Sequence, residues 1–88
     1  MKEIRFNVDK NEWFIKNRGV SFDQIAELLI NNKIIAVVDH HNKVKYYNQK
    51  LILLEINNQL LIVPYVEEDE YIFLKTAYFN RRYKKIYL

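Results

Sequence analysis

The spacing of apolar residues changes along the chain near residue 34. Before that point Phe22, Ile25, Ala26, Leu29 and Ile30 recur at the spacing of one helix face. After it, branched and aromatic residues form short runs separated by polar breaks, namely IIAVV, LILLEI, QLLIVPYV and YIFLKTAYF. The pattern therefore predicts helices first, with the face named above buried, and then four strands.

Capping signals indicate where the first helix begins. Asp9 and Glu12 have the spacing of a capping box. Val8 and Trp13 occupy the positions of a hydrophobic staple around that cap. We expect a helix from about residue 10 to residue 17.

A second helix is predicted directly after the first. Gly19 is the only glycine of the chain, and it stands where a helix C-terminus needs a positive φ. Ser21 and Gln24 then repeat the capping-box spacing, which predicts a helix over residues 22–31. The two helices should meet at a tight corner.

Turn signals order the strands. IRF at residues 4–6 fits an edge strand, and Asn57 with Asn58 suits a two-residue hairpin turn. EEDE at 67–70 predicts a second turn, so the last three strands should form an antiparallel meander. Pro64 cannot donate to a strand ladder, and we expect a bulge there, close to the functional site.

These elements predict one α+β domain over residues 1–88. Residues 1–31 supply a short strand and two short helices, and residues 32–88 supply a mainly antiparallel sheet of about four further strands with a basic C-terminal end. The absence of cysteine favours a reducing cytoplasm, and the charged N-terminus and the absence of a long apolar run predict a protein that is neither secreted nor membrane-spanning.

Charge is distributed unevenly. Residues 1–70 hold all eleven Asp and Glu against nine Lys and Arg, whereas residues 71–88 hold five cations and no acid. Such a basic end is typical of proteins that bind nucleic acid or an acidic partner. It is also compatible with a merely solvated terminus.

Other chemistries are poorly supported by composition. The chain has no Cys, and its single glycine cannot build a phosphate-cradling loop. Ser21, the only serine, is committed as a helix cap. No metal site and no cofactor are expected, because the histidines have no third ligand at metal spacing.

Arginine and lysine near the C-terminus are the first candidates for a site. Arg81 and Arg82 follow the last predicted strand and present planar forks suited to a phosphate. Lys75 should lie within the strand YIFLKTAYF, on one face with Phe73 and Ala77. Beside two arginines, its pKa would fall enough to assist proton transfer, although a surface lysine is equally compatible.

Histidines and further cations complete the candidate set. His40 and His41 are the only histidines, and imidazole is the side chain best suited to acid-base catalysis near neutral pH. They lie in a polar segment that would leave them exposed. Further cations and tyrosines have side chains suited to holding RNA phosphate or stacking on RNA bases, namely Lys43, Lys45, Lys84, Lys85, Tyr46, Tyr47, Tyr83 and Tyr87. Tyr83 is also a catalytic candidate, because it adjoins Arg82.

Several of these stretches resemble a known family. Lys10, Lys16 and RGVSFD at 18–23, followed by KYYNQ, FLKT and a basic end with tyrosines, are similar to the BrnT family of bacterial toxins in the RelE-like ribonuclease superfamily. The segment RGVSF is its most specific part. The chain has Asn7 and Val8 where the family usually has Trp-Asp, and Arg18 where it commonly has His.

The resemblance implies a RelE/BrnT-like fold and a function. It implies the toxin of a toxin-antitoxin pair, a hydrolase that cleaves messenger RNA without a metal, on or off the ribosome. Its partner would be a small DNA-binding antitoxin of ribbon-helix-helix type. The alternative from the residues alone is a non-catalytic module whose basic end binds RNA or an acidic protein.

Overall fold

The computed structural model describes residues 2–87, except for the side chains of residues 82–84. These residues form three helices and six strands in an α+β arrangement. In chain order the elements are β1 (Glu3–Phe6), α1 (Val8–Arg18), α2 (Phe22–Ile30), β2 (Ala36–Asp39), β3 (Gln49–Ile56), β4 (Gln59–Glu67), β5 (Tyr71–Leu74), β6 (Tyr78–Phe79) and α3 (Arg81–Tyr87).

The strands form one mixed sheet in the order β1-β5-β4-β3-β2, with the short β6 paired to β4 beyond the end of β5. β1 lies at one edge and runs parallel to β5, while the other pairings are antiparallel. The predicted edge strand and the meander β3-β4-β5 are thus confirmed. Five strands rather than four follow the helix pair, because the run YIFLKTAYF is split, and α3 was not predicted.

Both predicted turns are present. Asn57 and Asn58 have φ of 53° and 62° between paired Ile56 and Gln59, the left-handed backbone that a two-residue hairpin requires. At the second turn the N–H of Glu68 donates to the carbonyl of Tyr71 at 2.8 Å. The chain therefore reverses twice with little loop.

Helix α1 begins earlier than predicted. Asn7, not Asp9, is its N-cap, because Asn7 has extended backbone and its Oδ1 accepts the N–H of Lys10 at 2.9 Å. The predicted staple is also wrong: Val8 is 64% exposed and Trp13 is 50% exposed. With the cap two residues upstream, neither side chain occupies a staple position.

The corner between α1 and α2 agrees with the sequence. Gly19 has φ of 68° and ends α1, and Ser21 caps α2 by accepting the N–H of Gln24 on its Oγ at 3.0 Å. Of the predicted buried face of α2, however, Ile30 is 61% exposed. The helix ends at this residue, beyond the edge of the underlying core.

Asn11 connects the two helices from within. It is buried, its Oδ1 accepts the N–H of Phe22 at 2.6 Å, and its Nδ2 donates to Asp23 Oδ2 at 3.2 Å. The amide thereby satisfies one of the N–H groups that the start of a helix leaves without a partner. A single polar side chain fixes how α1 meets α2.

The sheet has two different faces. The face that carries α1 and α2, here called the helix face, holds the larger core, which includes Phe14, Phe22, Ile25, Leu29, Ile52, Leu54, Leu61, Val63, Leu74 and Ala77. The opposite face, here called the back face, holds a smaller cluster: Leu51, Leu53, Leu60 and Ile62 with Tyr78, and with Tyr87 of α3 packed against it. The alternation of side chains along β3 and β4 separates the two sets.

A β-bulge interrupts the sheet at Pro64, as predicted. β5 pairs with β4 through Leu74 opposite Tyr65, but β6 resumes with Tyr78 opposite Ile62, so the second strand has gained one residue. The bulge segment, residues 75–77, reverses the predicted alternation. Ala77 joins the core of the helix face, and Lys75 lies after β5 rather than inside a continuous strand.

Candidate functional site

The bulge segment owes its form to the missing N–H of Pro64. Pro64 and Lys75 are opposed where two antiparallel residues would exchange two hydrogen bonds, and only one is made, from Lys75 N–H to the Pro64 carbonyl at 2.8 Å. The carbonyl of Lys75 accepts instead from Lys10 Nζ at 2.7 Å. A cation of α1 thus replaces the donor that proline lacks.

A second cation of α1 holds the other end of the bulge segment. Arg18 Nη1 donates to the carbonyl of Ala77 at 3.0 Å, and its guanidinium lies 5.2 Å from the ring centroid of Trp13. Lys10 and Arg18 therefore each donate a charge-assisted hydrogen bond from α1 to the bulge segment. They fix the backbone from which Lys75 and Thr76 extend.

An open cleft of about 560 Å³ lies along the bulge segment. We call it the bulge cleft, and it is lined by Lys10, His40, His41, Tyr46, Gln49, Pro64, Lys75, Thr76, Tyr78 and Asn80. Among these described lining residues there are two lysines and two histidines and no carboxylate. The cleft is therefore suited to an anion.

Three flat rings form one wall of the bulge cleft. His40 contacts both other rings, with its centroid 4.5 Å from that of His41 at an interplanar angle of 31° and 4.5 Å from that of Tyr46 at 35°. The loop is shaped by Asn42, whose Oδ1 accepts the N–H of Lys45 at 3.1 Å. This local turn brings Tyr46 back onto His40.

His40 is buried, contrary to the expectation of exposed loop histidines. Its Nδ1 accepts the N–H of Asn42 at 3.0 Å, which assigns the proton of the neutral ring to Nε2. Burial lowers the pKa of His40, and the neighbouring His41 lowers that pKa further. The ring is kept neutral, and its lone pair is already engaged.

His41 has the opposite surroundings. Its side chain is exposed on the cleft side of the ring stack, and it lines the same cleft as Lys10 and Lys75. Because the lone pair of His40 is occupied by Asn42, His41 is the histidine better placed to exchange a proton with a bound molecule. The buried ring of His40 is in contact with the exposed ring of His41.

A second cleft, of about 570 Å³, lies on the other side of the same wall. It shares His40, Tyr46 and Gln49 with the bulge cleft, but it also contains Asp39 and Glu67. Lys43, a predicted RNA-binding residue, lies in this second cleft, where its Nζ is 3.3 Å from Asp39 Oδ2. The Asp39 carboxylate thus partly neutralises the positive charge of Lys43.

The remaining predicted site residues are spread more widely. Arg81 and Lys85 line a third cleft, of about 620 Å³, which shares Asn80 with the bulge cleft. Lys45 extends over the ring of Tyr46, with Nζ 5.2 Å from the centroid. Three predicted residues, Arg82, Tyr83 and Lys84, have side chains that lie outside the described part of the chain.

The structure thus brings together Lys75, His40 and His41 and places Arg81 beside them in an adjoining cleft. Sequence reasoning assigned no site role to Lys10 or Arg18, although both belong to the stretch that carries the family resemblance. The one available signal was Pro64, whose missing donor implied a carbonyl in need of another partner.

Comparison of the chain with protein-family models, with curated proteins and with solved structures finds no match. Within residues 2–87 no helix has the length and apolar character needed to cross a membrane. In the same described part of the chain, no three His, Cys, Asp or Glu side chains are grouped as metal ligands would be.

Proposed function

We propose that this chain is a metal-independent endoribonuclease, acting as the toxin of a bacterial toxin-antitoxin pair. The observation that carries the proposal is the bulge cleft, where His41 and two lysines converge without a carboxylate among the described lining residues. RNA cleavage without a metal needs a base, an acid and cations at the phosphate, and these side chains supply those groups. The family resemblance of the sequence leads to the same activity.

The chemistry assigned to the cleft is attack of a 2′-hydroxyl on the adjacent phosphorus. His41 takes the 2′-OH proton, the new O2′–P bond forms, and the P–O5′ bond breaks. The Lys75 ammonium gives a proton to the departing O5′, so the products are a 2′,3′-cyclic phosphate and a 5′-hydroxyl. Lys10 stabilises charge on the phosphorane, because an ammonium has three donors and the Lys75 carbonyl engages one of them.

The test is cleavage of an unstructured RNA by the purified protein in the presence of EDTA. We expect fragments ending in 2′,3′-cyclic phosphate, and a loss of about 100-fold or more in rate for His41→Ala and for Lys75→Met. Lys33→Met is the matched control, since Lys33 is an exposed lysine that lines none of the three clefts. Equal rates for wild type and both cleft variants would refute the assignment.

The toxin role needs a separate experiment in a bacterial host. We expect induced expression to arrest growth and to create new messenger RNA 5′ ends, and His41→Ala to abolish both effects at equal protein level. The family resemblance implies a small antitoxin of ribbon-helix-helix type as the partner, and an acidic segment of that antitoxin inserted into the bulge cleft would complement its charge. Normal growth with abundant folded protein would reject the toxin role.

A second candidate function is a binding module without catalysis. It is favoured by the position of Arg81 and Lys85, which line a cleft of their own without a histidine among its described lining residues. In that case, binding would weaken in proportion to the number of cations removed and steeply with salt, and no RNA would be cleaved. The EDTA experiment separates the two functions directly.

A further inference from the structure

The back face of the sheet is only partly covered by α3. The cluster beneath α3 belongs to β3 and β4, with Tyr78 of β6 beside it. Farther along the same face, Tyr71 and Phe73 of β5 project at alternate positions and are half-buried rather than enclosed. These two rings are the aromatic side chains that β5 presents on this face, directly before the bulge segment.

We infer that Tyr71 and Phe73, here called the β5 platform, stack on the unpaired bases of a single-stranded RNA whose scissile phosphate lies in the bulge cleft. The inference rests on the proposed ribonuclease function, since it names how that site recognises its substrate. Aromatic rings at alternate strand positions are about 7 Å apart. Exposed rings on a sheet face are a general means of binding successive bases.

Continuity with the bulge cleft supports this assignment. A shallow depression of about 350 Å³ covers the platform and is lined by Asn48, Val66, Glu68, Tyr71, Phe73 and Lys75. Lys75 lines both this depression and the bulge cleft. A strand bound at the platform would therefore have a phosphate next to the ammonium that acts in the cleft.

Charge is arranged along the platform in the direction of the cleft. Lys75 Nζ lies 5.4 Å from the ring centroid of Phe73. At the far end the Arg5 guanidinium lies over one face of the Tyr71 ring, 4.1 Å from its centroid, so that a base at this position stacks on the opposite face or on the guanidinium plane, and Glu3 pairs with Arg5 at 2.9 Å. Cations thus flank both rings, while the acids Glu3 and Glu68 are at the end away from the cleft, so a polyanion is drawn toward the bulge.

The occupant is single-stranded RNA rather than a duplex. Stacking on a side chain requires an exposed base face, and a helix hides these faces within its own stack. An acidic protein segment would satisfy the cations but would gain little from two aromatic rings. The two aromatic rings therefore favour single-stranded RNA over both a duplex and an acidic protein segment.

The experiment measures binding of a labelled 2′-O-methyl uridine octamer by fluorescence anisotropy. This probe carries no 2′-hydroxyl, so its binding is independent of cleavage. We expect Phe73→Leu and Tyr71→Leu each to weaken binding about fivefold to a hundredfold, with an unchanged salt slope because no charge is altered. Ile15→Ala, which removes an exposed apolar side chain of α1 that lines none of the clefts, should bind like wild type, and Phe73→Tyr should restore most of the affinity.

Each result separates the platform from the catalytic proposal. If the Leu variants, shown to be folded by their thermal transitions, bind the octamer as tightly as wild type, or if wild type does not bind it, the platform is refuted. If they lose binding of polyglutamate but not of the octamer, the face binds protein and the platform is likewise refuted. If they lose octamer binding while wild type fails to cleave the ribose form, the platform holds and the ribonuclease proposal fails.

Discussion

The two faces of the sheet show different uses of similar residues. On the helix face, Phe22 is fully buried and contacts Phe6 and Phe14 with ring centroids 5.2 Å apart in each case. On the back face, Phe73 has the same side chain but remains partly exposed beside Lys75. The difference teaches that stability is concentrated on one side of the sheet, which leaves the other side free to carry charge and open clefts.

The largest expected effect comes from removing the same ring on each face. Phe22→Ala should lower the free energy of unfolding by about 3–5 kcal/mol, because it leaves a cavity in the larger core. Phe73→Ala should cost about 1 kcal/mol, because its site is half open to water. Urea denaturation of both variants checks the contrast, and equal losses would mean that the faces do not differ in this way.

Substitution of Asn11 tests how much the buried hydrogen bonds between α1 and α2 contribute to stability, compared with the aromatic core. Asn11→Ala should cost about 1–3 kcal/mol, because it leaves the N–H of Phe22 without its acceptor in a buried position. Asn17→Ala is the control, since Asn17 is exposed and its Nδ2 donates only to the Trp13 carbonyl within its own helix. Thermal denaturation of the pair should show a much larger shift for Asn11, and similar shifts would contradict the role of Asn11 as a joint.

The back face should be the pH-sensitive one. The pKa of His40 is lowered in the folded chain by burial and by His41, so the unfolded chain binds more protons once the pH falls toward the ordinary value of 6.5. The contribution of His40 to the unfolding free energy has its full value above pH 6.5. It declines as the pH falls toward the lowered pKa, by at most about 1.4 kcal/mol per pH unit. The charged side chains that line the clefts on either side of the ring are Lys10, Lys75, Asp39, Lys43, Lys50 and Glu67.

The measurement is the unfolding free energy at several pH values between 7.5 and 5. We expect His40→Phe, which retains a flat ring in contact with His41 and Tyr46, to remove most of the decline. His41→Phe should remove less of it, because His41 is exposed. An identical decline in wild type and His40→Phe would show that another group is responsible.

The smallest expected effect on stability is at the contact between α1 and the bulge. Lys10→Met should cost about 0.5–1 kcal/mol, since it removes the donor to the Lys75 carbonyl in an exposed position where water can replace it. Its effect on RNA cleavage should be larger, because the bulge segment and one cation of the cleft are both altered. Lys16→Met is the control in the same helix, and a cleavage rate for Lys10→Met equal to that control would remove Lys10 from the site.

Local signals predicted most of the fold. Gly19, Ser21 and the pair Asn57–Asn58 each fix a backbone conformation within a few residues, and each prediction was confirmed. The wrong assignment of Asp9 as the N-cap of α1 is also a local error. Asn7, two residues earlier, caps a helix equally well, and the capping-box spacing alone did not distinguish the two residues. The parallel pairing of β1 with β5 depends on contacts nearly 70 residues apart, which no local pattern records.

The candidate site was predictable only as a set of residue types. Lys75 and the histidines were identified from their chemistry, and the bulge from Pro64, but their convergence in one cleft depends on tertiary packing. The burial of His40 follows from the turn at Asn42 and the ring of Tyr46, which polarity alone does not reveal. The capping of the bulge by Lys10 joins residues 65 positions apart.

The packing of α3 limits how the proposed activity can be tested by truncation. Deleting the basic end would remove Tyr87 from the apolar cluster of Leu51, Leu53, Leu60 and Ile62 and leave that cluster facing water. A shortened chain would then aggregate, and its harmlessness to a host would say nothing about catalysis. Helix α3 both carries the cations and covers the apolar cluster. The two roles can be separated only by single substitutions such as Arg81→Gln in the full-length chain.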